Sequence, residues 1–225
     1  MPKLRVLLVA DQESKYIWDY FDKKNFEGVE LIISCGDLRP AYLSFLTTMV
    51  AAPLYYVHGN HDGSYLRTPP EGCECLEDKI LDFKGFRFLG FGGVKATSPK
   101  PFHYSEKEVN RQILRRMGQI CFHGGFDVLV THAPAAGLGD GDDDFHRGFN
   151  CYRALNEYFN PAYHFYGHQH LNYGNSSRVI QHGNTKLING FGYQIIDLEM
   201  EEKKRSKLSY LITCYEWGRR NATGV

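Results

Sequence analysis

Hydrophobic residues in the first half of the chain fall into short continuous runs that alternate with helical patterns. The runs at residues 4–10, 29–35 and 54–57 are rich in Val, Ile, Leu and Tyr, and this predicts buried strands. Between them, residues 14–26 and 40–51 predict helices, and the second begins with a proline, which suits a first helical turn. Strands that alternate with helices predict βαβ units and a mainly parallel sheet.

The pattern changes towards the end of the chain. Ser105 followed by Glu108 predicts a capped helix that ends at Gly118. Further strands are predicted at residues 86–91, 127–130 and 163–166, and a further helix at residues 151–159. The tail lacks a helical period, and its short runs predict an antiparallel meander that forms a second sheet, packed on the first. These runs are residues 178–182, 185–188, 193–198 and 208–215.

The size and charge of the chain restrict its functional class. Of its 225 residues, 43% are hydrophobic, which is enough for a sizeable core. Neither a repeat nor a linker is evident, so we expect one domain over residues 1–225. The 26 basic and 26 acidic residues cancel, which argues against a general nucleic-acid or membrane surface. No run is long and apolar enough to span a bilayer, so we expect a cytoplasmic protein without membrane contact.

The six cysteines are not spaced like the disulfide framework of a small secreted domain. We therefore expect all six to be reduced thiols. Cys73 and Cys75 form the only close pair in the sequence. A zinc or redox role for that pair is disfavoured, because no second pair completes a site with four ligands.

Polar residues of metal-binding type follow the predicted strands. Asp, Asn and His side chains suit hard to borderline divalent ions. Open α/β sheets bind ligands at the carboxyl ends of their strands. This number of ligands predicts two adjacent metal sites, an arrangement that can clamp a phosphoryl group. The five segments are Asp11-Gln12-Glu13, Gly36-Asp37, Gly59-Asn60-His61-Asp62, Thr131-His132-Ala133-Pro134 and Gly167-His168-Gln169-His170.

This ordered set resembles the calcineurin-like metallophosphoesterases, whose pattern is D-x-H, G-D, G-N-H-[DE], [GT]-H and G-H-x-H. The resemblance runs from about Val6 to about Gly190. A single fragment carries little information, whereas all of them in order at strand ends are specific. The resemblance implies an α/β fold in which two facing mixed β-sheets are flanked by helices, as a four-layer α/β/β/α sandwich. This agrees with the alternating first half and the strand-rich tail.

The resemblance also implies metal ligands at the matching positions. Asp37 would bridge two divalent cations, because a carboxylate offers two oxygens. Asp11 and His170 would bind the first cation. Asn60, His132 and His168 would bind the second, and we call these three residues the second-metal group.

The chain departs from the family pattern at Glu13, which stands where the family has a histidine. A glutamate can bind a divalent ion through oxygen, so we expect Glu13 to join Asp11 and His170 in what we call the first-metal group. Its added negative charge favours Mn²⁺, with Mg²⁺, Zn²⁺ or Fe as alternatives. The other interpretation is that Glu13 caps the following helix and that the first cation binds weakly or not at all.

The resemblance assigns the chemistry to two further residues. His61 would protonate the leaving oxygen or stabilise the charged phosphoryl group, and Asp62 would position the His61 ring. A hydroxide that bridges the two cations would attack phosphorus, in line with the departing oxygen.

Three residues outside the motifs are candidates for substrate binding. Arg39 lies just after Asp37 and could bind a phosphate through two hydrogen bonds. His146 and Arg147 lie in a long loop that could cover the site, and loops often carry function. The alternative for each of the three is an ordinary surface residue.

Together these observations predict a metal-dependent phosphoesterase that hydrolyses a small phosphomonoester or phosphodiester. One alternative is a protein-binding scaffold of the same fold with a degraded metal site, as in a retromer subunit that resembles this family, and Glu13 is the feature that points to it. A nuclease is a further alternative, which the neutral net charge disfavours. The sequence does not indicate an oligomeric state.

Overall fold

The structure is a computed structural model that describes residues 2–171, 177–200 and 207–222. Its strands form two main β-sheets and one small pair. In chain order the strands are β1 (Lys3–Ala10), β2 (Leu31–Ser34), β3 (Leu54–Tyr56), β4 (Cys73–Cys75), β5 (Ile80–Phe83), β6 (Phe86–Phe91), β7 (Val94–Lys95), β8 (His103–Tyr104), β9 (Val128–Thr131), β10 (Tyr163–Tyr166), β11 (Val179–His182), β12 (Thr185–Asn189) and β13 (Gly192–Glu199). The α-helices are α1 (Lys15–Asp19), α2 (Pro40–Val50), α3 (Glu106–His123), α4 (Asn150–Phe159) and α5 (Lys207–Ala222), and two 3₁₀ helices cover Lys23–Phe26 and Asp62–Leu66.

The first sheet has the strand order β13-β1-β2-β3-β4 and contains the predicted βαβ units. Strands β1 to β4 are parallel, whereas β13 pairs antiparallel with β1. β2 is buried at every position, as expected for a parallel strand that is covered on both faces. The carboxyl ends of β1, β2 and β3 lie at one edge, so the loops that carry Asp11, Asp37 and Asn60 meet there.

The second sheet has the strand order β11-β12-β10-β9-β6-β5. Its four central strands are parallel, and β11 and β5 pair antiparallel at its two edges. His132 follows β9 directly, and His168 comes two residues after β10. Parallel pairing of β9 with β10 therefore brings both histidines to the same edge. β7 and β8 form the separate small pair.

Three hydrophobic layers show how the sheets and helices stack. Between the sheets, Leu8 and Ile33 of the first sheet share a core with Phe88, Val130 and Phe165 of the second. The other face of the first sheet packs against α1 and α2. Helices α3, α4 and α5 cover the outer face of the second sheet. The layers are thus α/β/β/α, which confirms the fold class expected from the sequence.

The strand predicted at residues 208–215 is wrong, because these residues lie in α5. The segment contains Leu, Ile, Thr and Tyr, several of which favour strands. Its buried side chains, however, are Tyr210, Cys214 and Trp217, which follow a helical spacing. They pack with Met117 of α3 and Phe159 of α4. Packing against these helices therefore overrides the local preference for a strand.

Other boundaries also differ from the prediction. The tail strands do not form one meander, since β11 and β12 belong to the second sheet and β13 joins the first. The helix predicted at residues 14–26 is interrupted, because α1 ends at Asp19 and a 3₁₀ turn follows. The capping box at Ser105 is confirmed, but α3 continues through Gly118, and Gly124 caps it with a left-handed φ of 68°.

The cysteines depart from the expectation of six reduced thiols. The structure pairs Cys121 of α3 with Cys214 of α5, and their Cα atoms lie 6.7 Å apart. The expectation is therefore wrong for these two residues, while the remaining four are free thiols: Cys35, Cys73, Cys75 and Cys151. Within the described residues, every helix is too short or too polar to cross a membrane.

Candidate metal centre

Three candidate ligands have left-handed backbone conformations where the chain leaves a strand. Asp11 after β1 has φ 63°, Asp37 after β2 has φ 58°, and His168 after β10 has φ 65°. Residues other than glycine rarely adopt this conformation, which costs roughly 1–2 kcal/mol each. Such strain occurs where the surrounding structure fixes the backbone, often at functional sites. Here it turns three side chains into the space between the two sheet edges.

Close packing of two loops fixes the Asp37 carboxylate. A Cβ atom on Gly36 would lie 2.3 Å from the Gly59 nitrogen, and one on Gly59 would lie 2.0 Å from Asp37 Oδ1. Only glycine fits at either position without a shift of the backbone. The glycines of the Gly36-Asp37 and Gly59-Asn60 motifs therefore allow the loops after β2 and β3 to touch.

The second-metal group lies together with Asp37. One ligand atom from each of Asp37, His132 and His168 lies within 4.8 Å of the other two. His132 Nε2 is 3.1 Å from Asn60 Oδ1 and 3.4 Å from Asp37 Oδ2. Loops from both sheets thus place two imidazoles, one carboxylate and one amide around one point.

Backbone carbonyls orient the two histidine rings. His132 Nδ1 donates a hydrogen bond to the Cys35 carbonyl at 2.6 Å, and His168 Nε2 donates to the Phe145 carbonyl at 2.8 Å. Because a carbonyl can only accept, these contacts leave His132 Nε2 and His168 Nδ1 as the ring nitrogens available to a cation, which on His132 would displace the second proton of the ring. This is the arrangement that carbonyl oxygens impose on metal-binding histidines. Neither carbonyl could be identified from sequence, because backbone atoms carry no residue signature.

The charges in the cluster favour an ionised Asp37. Burial alone would raise the pKa of Asp37, but the charge of His132 and a hydrogen bond from the His61 amide outweigh it and lower the pKa to about 2. Burial, with the nearby charge of His132, lowers the pKa of His168 to about 4, so that its ring is neutral at physiological pH. An ionised carboxylate beside a neutral imidazole is the donor pair that a divalent cation requires.

Asp11 is the member of the first-metal group that lies deepest in the protein. Both of its carboxylate oxygens accept a hydrogen bond from the His168 backbone amide, at 2.8 and 3.0 Å. Burial raises the pKa of Asp11 to about 7, against the opposing charge of His132. A carboxyl group in such an environment gains from a nearby cation, which stabilises its charged form.

Glu13, by contrast, is engaged by other partners. Its carboxylate accepts hydrogen bonds from Trp18 Nε1 at 2.7 Å, from Arg39 Nε at 2.7 Å and from the Arg39 backbone amide at 3.1 Å. Burial opposes ionisation of Glu13, but these hydrogen bonds outweigh it and lower its pKa. Ser14 caps α1 by accepting from the Ile17 amide, so the interpretation of Glu13 as the helix cap is wrong.

Arg39 is therefore part of an ion pair rather than free beside the centre. Its guanidinium pairs with Glu13 and lies 6.0 Å from the centre of the Trp18 ring. His170, the remaining member of the first-metal group, is exposed, and its ring packs against Phe191 with centroids 4.9 Å apart. The cluster of Asp37, His132 and His168 includes neither Glu13 nor His170.

The Asp62 carboxylate holds the backbone of two motif loops. Asp62 Oδ2 accepts from the Gly59 amide at 2.7 Å and from the Asp37 amide at 2.9 Å. Burial raises the pKa of Asp62 to about 6. The sequence analysis expected Asp62 to position the His61 ring, whereas these contacts position the two loops.

A cleft of about 390 Å³ opens beside the cluster. Asn60, His61, His146 and His168 are among its lining residues. Arg147 is not among the lining residues; its side chain is 3.9 Å from Asp144. Sequence reasoning missed further lining residues, because the two segments that carry them, one from β7 to β8 and one before α4, have no motif. They include Lys95, Ser98, Lys100 and Phe145.

The cluster fits a divalent cation. Imidazole, carboxylate and amide donors converge, both rings are oriented by carbonyls, and Asp37 is ionised. The donor set contains no thiol, as expected for hard to borderline ions.

The chain belongs to the calcineurin-like phosphoesterases. The family model described as calcineurin-like phosphoesterase matches residues 6–172, which is most of the chain. The motifs that built the candidate centre all begin and end within this range, so the resemblance seen in the sequence is confirmed.

Individual proteins resemble this chain only at low sequence identity or over part of their length. A UPF0046 protein of Caenorhabditis elegans is 32% identical over 117 residues, which cover 51% of this chain and only 27% of that protein. TT1561 of Thermus thermophilus has a TM-score of 0.60 at 16% identity, covering 84% of this chain and 89% of that chain. A 5'-nucleotidase from Candida albicans has a TM-score of 0.52 at 11% identity, covering 97% and 58% respectively. At these identities the two structures show likeness of fold alone.

Proposed function

We propose that the protein is a metal-dependent phosphoric ester hydrolase with a dinuclear centre. The observation that carries this proposal is the convergence of Asp37, His132 and His168 to within 4.8 Å, beside a cleft that reaches Asn60 and His61. Four loops from two sheets supply these residues, and three candidate ligands at the centre adopt a strained backbone conformation. Convergent, strained polar residues at a cleft are typical of an active site.

In this proposal Asp37 and the second-metal group hold one cation, and Asp37 with Asp11 holds the other. We propose Mn²⁺ for both, with Fe, Zn²⁺ and Mg²⁺ as alternatives, because the donors are oxygen and imidazole nitrogen. When bound, the two cations would polarise the phosphoryl group and acidify the attacking water.

The residues of the chain supply binding and proton transfer. His61 lies in the cleft next to Asn60 and in this proposal gives a proton to the departing oxygen. Lys95 and Lys100 line the same cleft and would attract the negative charge of the substrate. The limited volume of the cleft favours a small phosphomonoester or phosphodiester.

The experiment compares the wild type with His132→Ala after removal of metal by a chelator. p-Nitrophenyl phosphate and bis(p-nitrophenyl) phosphate serve as monoester and diester substrates, and each of the four cations is added back in turn. We expect turnover that requires the cation, is largest with Mn²⁺ and falls at least about 100-fold in His132→Ala.

The matched control is His182→Ala, a histidine on β11 that contacts Glu157 of α4. This variant should keep the activity of the wild type. Absence of turnover with all four cations in a folded wild type would contradict the proposal.

A non-catalytic scaffold is the second candidate, and the engagement of Glu13 by Arg39 and Trp18 is the observation that favours it. A weak first metal site would leave the fold intact without catalysis. Metal analysis separates the two proposals: the enzyme retains about two Mn²⁺ per chain after gel filtration, whereas the scaffold retains one or none.

A further inference from the structure

A second cluster of metal-binding residue types lies at the end of β3 and β4. One ligand atom from each of His58, Cys75 and Glu77 lies within 4.8 Å of the other two. His58 Nδ1 is 2.9 Å from Glu77 Oε1, and Cys75 is a free thiol. None of the three belongs to the phosphoesterase motifs. The sequence drew attention only to the pair Cys73 and Cys75, whereas the fold gives Cys75 two different partners.

Parallel pairing of β3 and β4 brings the cluster together. Tyr56 at the end of β3 lies opposite Cys75 at the end of β4. His58 and Glu77 each come two residues after these positions, so the segments that follow the two strands leave the sheet side by side. Equal spacing after parallel strands is therefore the local reason that a histidine meets a glutamate beside the thiol.

The surrounding residues fix the carboxylate of the cluster. Glu77 Oε1 accepts a hydrogen bond from the His58 backbone amide at 2.7 Å. A Cβ atom on Gly92 would lie 1.7 Å from the same oxygen, so the carboxylate occupies space that only a glycine leaves open. Glu77 thus has a defined position before any ligand binds.

Aromatic rings hold the His58 imidazole. Phe102 stacks on it with centroids 4.3 Å apart and nearly parallel planes. Tyr56 and Tyr65 contact it edge-on, with centroids 5.4 Å away in each case. A ring enclosed in this way loses little further freedom when it binds a ligand, which favours tight binding.

We infer that His58, Cys75 and Glu77 form an additional cation site of zinc type, separate from the candidate phosphoesterase centre. A thiolate, an imidazole and a carboxylate are all ligands of Zn²⁺, and three protein ligands leave the fourth tetrahedral position for water. The thiolate distinguishes this cluster from the oxygen and nitrogen donors around Asp37, so the two sites prefer different metals.

The inference is tested by titrating the metal-free full chain with Co²⁺, which reports thiolate ligation through a charge-transfer band in the near ultraviolet. The wild type should show the band as Co²⁺ is added, and Zn²⁺ should displace it. Cys75→Ser should abolish the band. Cys73→Ser is the matched control on the same strand and should keep it, because Cys73 lies outside the cluster.

A third variant tests the carboxylate, and a labelling experiment needs no variant. Glu77→Gln should weaken the binding of Co²⁺ about 10–100-fold. In the wild type, Zn²⁺ should slow the reaction of Cys75 with a thiol reagent, as measured by peptide mass spectrometry, while Cys73 reacts at an unchanged rate.

Three results would each overturn the inference: no charge-transfer band in the wild type, a band that survives Cys75→Ser, or labelling of Cys75 that Zn²⁺ does not slow. In each case the three residues would form only an internal hydrogen-bonded cluster. None of these measurements depends on phosphoester hydrolysis, so the inference and the proposed function can fail independently.

Discussion

The second-metal group and the first-metal group occupy two sides of the same centre but differ in how the chain holds them. The second-metal group meets Asp37 in one cluster, and backbone carbonyls orient both of its histidines. In the first-metal group, only Asp11 is hydrogen-bonded to another motif loop, through the His168 amide. Glu13 is paired with Arg39 instead.

The difference shows what positions a ligand. Residues at the ends of central parallel strands are placed by the sheet, because strand pairing and glycine contacts fix their backbone. Glu13 lies after Gln12, just before the helix α1. Strand pairing does not fix its side chain, which can therefore reach several partners. Arg39 and Trp18 supply four nitrogen donors at 3.1 Å or less, and no motif in the sequence indicates them.

The largest expected effect comes from disturbing the glycine contact that supports Asp37. In Gly59→Ala, the new Cβ would lie 2.0 Å from Asp37 Oδ1 and 2.6 Å from the Asp37 nitrogen. Backbone must therefore shift, at a cost of about 1–3 kcal/mol in the free energy of unfolding. Because Asp37 moves away from the second-metal group, we expect kcat with Mn²⁺ to fall at least about 100-fold.

Gly63→Ala is the control, since a Cβ at Gly63 meets nothing within 4 Å. Urea unfolding and steady-state kinetics on both variants provide the measurement. Equal activity of the two variants would mean that the contact between the Gly36 and Gly59 loops does not support the centre.

Much of this side of the centre could be predicted from sequence. The order of motifs at strand ends identified Asp37, His132 and His168, because the parallel strands were evident from continuous hydrophobic runs. The roles of Asp62 and Arg39 could not be predicted in the same way. Each has several possible partners within reach, and only the packed structure shows that Asp62 binds two backbone amides and Arg39 binds Glu13.

The same limit explains the errors in the fold. Leu, Ile, Thr and Tyr in α5 favour a strand by local preference, and the helical spacing of Tyr210, Cys214 and Trp217 becomes significant only when the surfaces of α3 and α4 are known. The assignment of β13 to the first sheet is also a long-range choice, since β1 and β13 are far apart in sequence. Strand-end motifs are local and were therefore more informative.

Replacement of Glu13 tests the weaker side of the centre directly. Glu13→His restores the residue of the family pattern and removes the ion pair with Arg39. An imidazole is neutral and has no attraction to the guanidinium, so it is free to turn towards Asp11. We expect activity to be kept or raised, and the concentration of Zn²⁺ needed for half-maximal activity to fall by about 10-fold.

Glu13→Gln is the matched variant, because it keeps the size of the side chain but weakens both the ion pair and metal binding. It should not lower the Zn²⁺ requirement. Loss of all activity in a folded Glu13→His protein would show that the carboxylate itself takes part in function. The first-metal group would then be as necessary for activity as the second-metal group.

The second-metal group also predicts a pH dependence of stability in the metal-free protein. Burial lowers the pKa of His132, but the negative charges of Asp37 and Asp11 outweigh burial and raise it from 6.5 to about 9. The folded protein therefore keeps a proton that the unfolded chain loses. Stability from this group is fully present below pH 6.5 and is lost as the pH rises to about 9. We expect a loss of about 1–2 kcal/mol, which lowers Tm by roughly 2–8 °C.

Thermal unfolding in the presence of a chelator measures this effect. His58 contributes in the same direction, because its contacts with Cys75 and Glu77 outweigh burial and raise its pKa to about 10. His132→Ala should therefore reduce the slope without removing it. Asp11→Asn should also reduce the slope, because it removes one of the two negative charges that raise the pKa of His132. A Tm that rises between these pH limits would contradict the assignment.

The smallest expected effects concern His146 and Arg147, in the loop beside the cleft. They test whether the substrate contacts lie on the side of the second-metal group. His146 lines the cleft, and its ring lies 5.3 Å from that of His168, centroid to centroid. Arg147, the next residue, is instead held near Asp142 and Asp144. We expect His146→Ala to raise KM for a phosphodiester about 3–10-fold, which corresponds to roughly 0.7–1.4 kcal/mol of lost binding.

Arg147→Ala should change KM less than about 2-fold, within the range of an exposed ion pair. Steady-state kinetics at saturating Mn²⁺ compares the two variants under conditions in which metal occupancy is the same. A larger effect of Arg147→Ala would mean that the loop moves when substrate binds, because the arginine can reach a phosphate only after it leaves its aspartate partners. Substrate contacts would then extend beyond the His168 side of the cleft, and the asymmetry between the two groups would apply to metal binding alone.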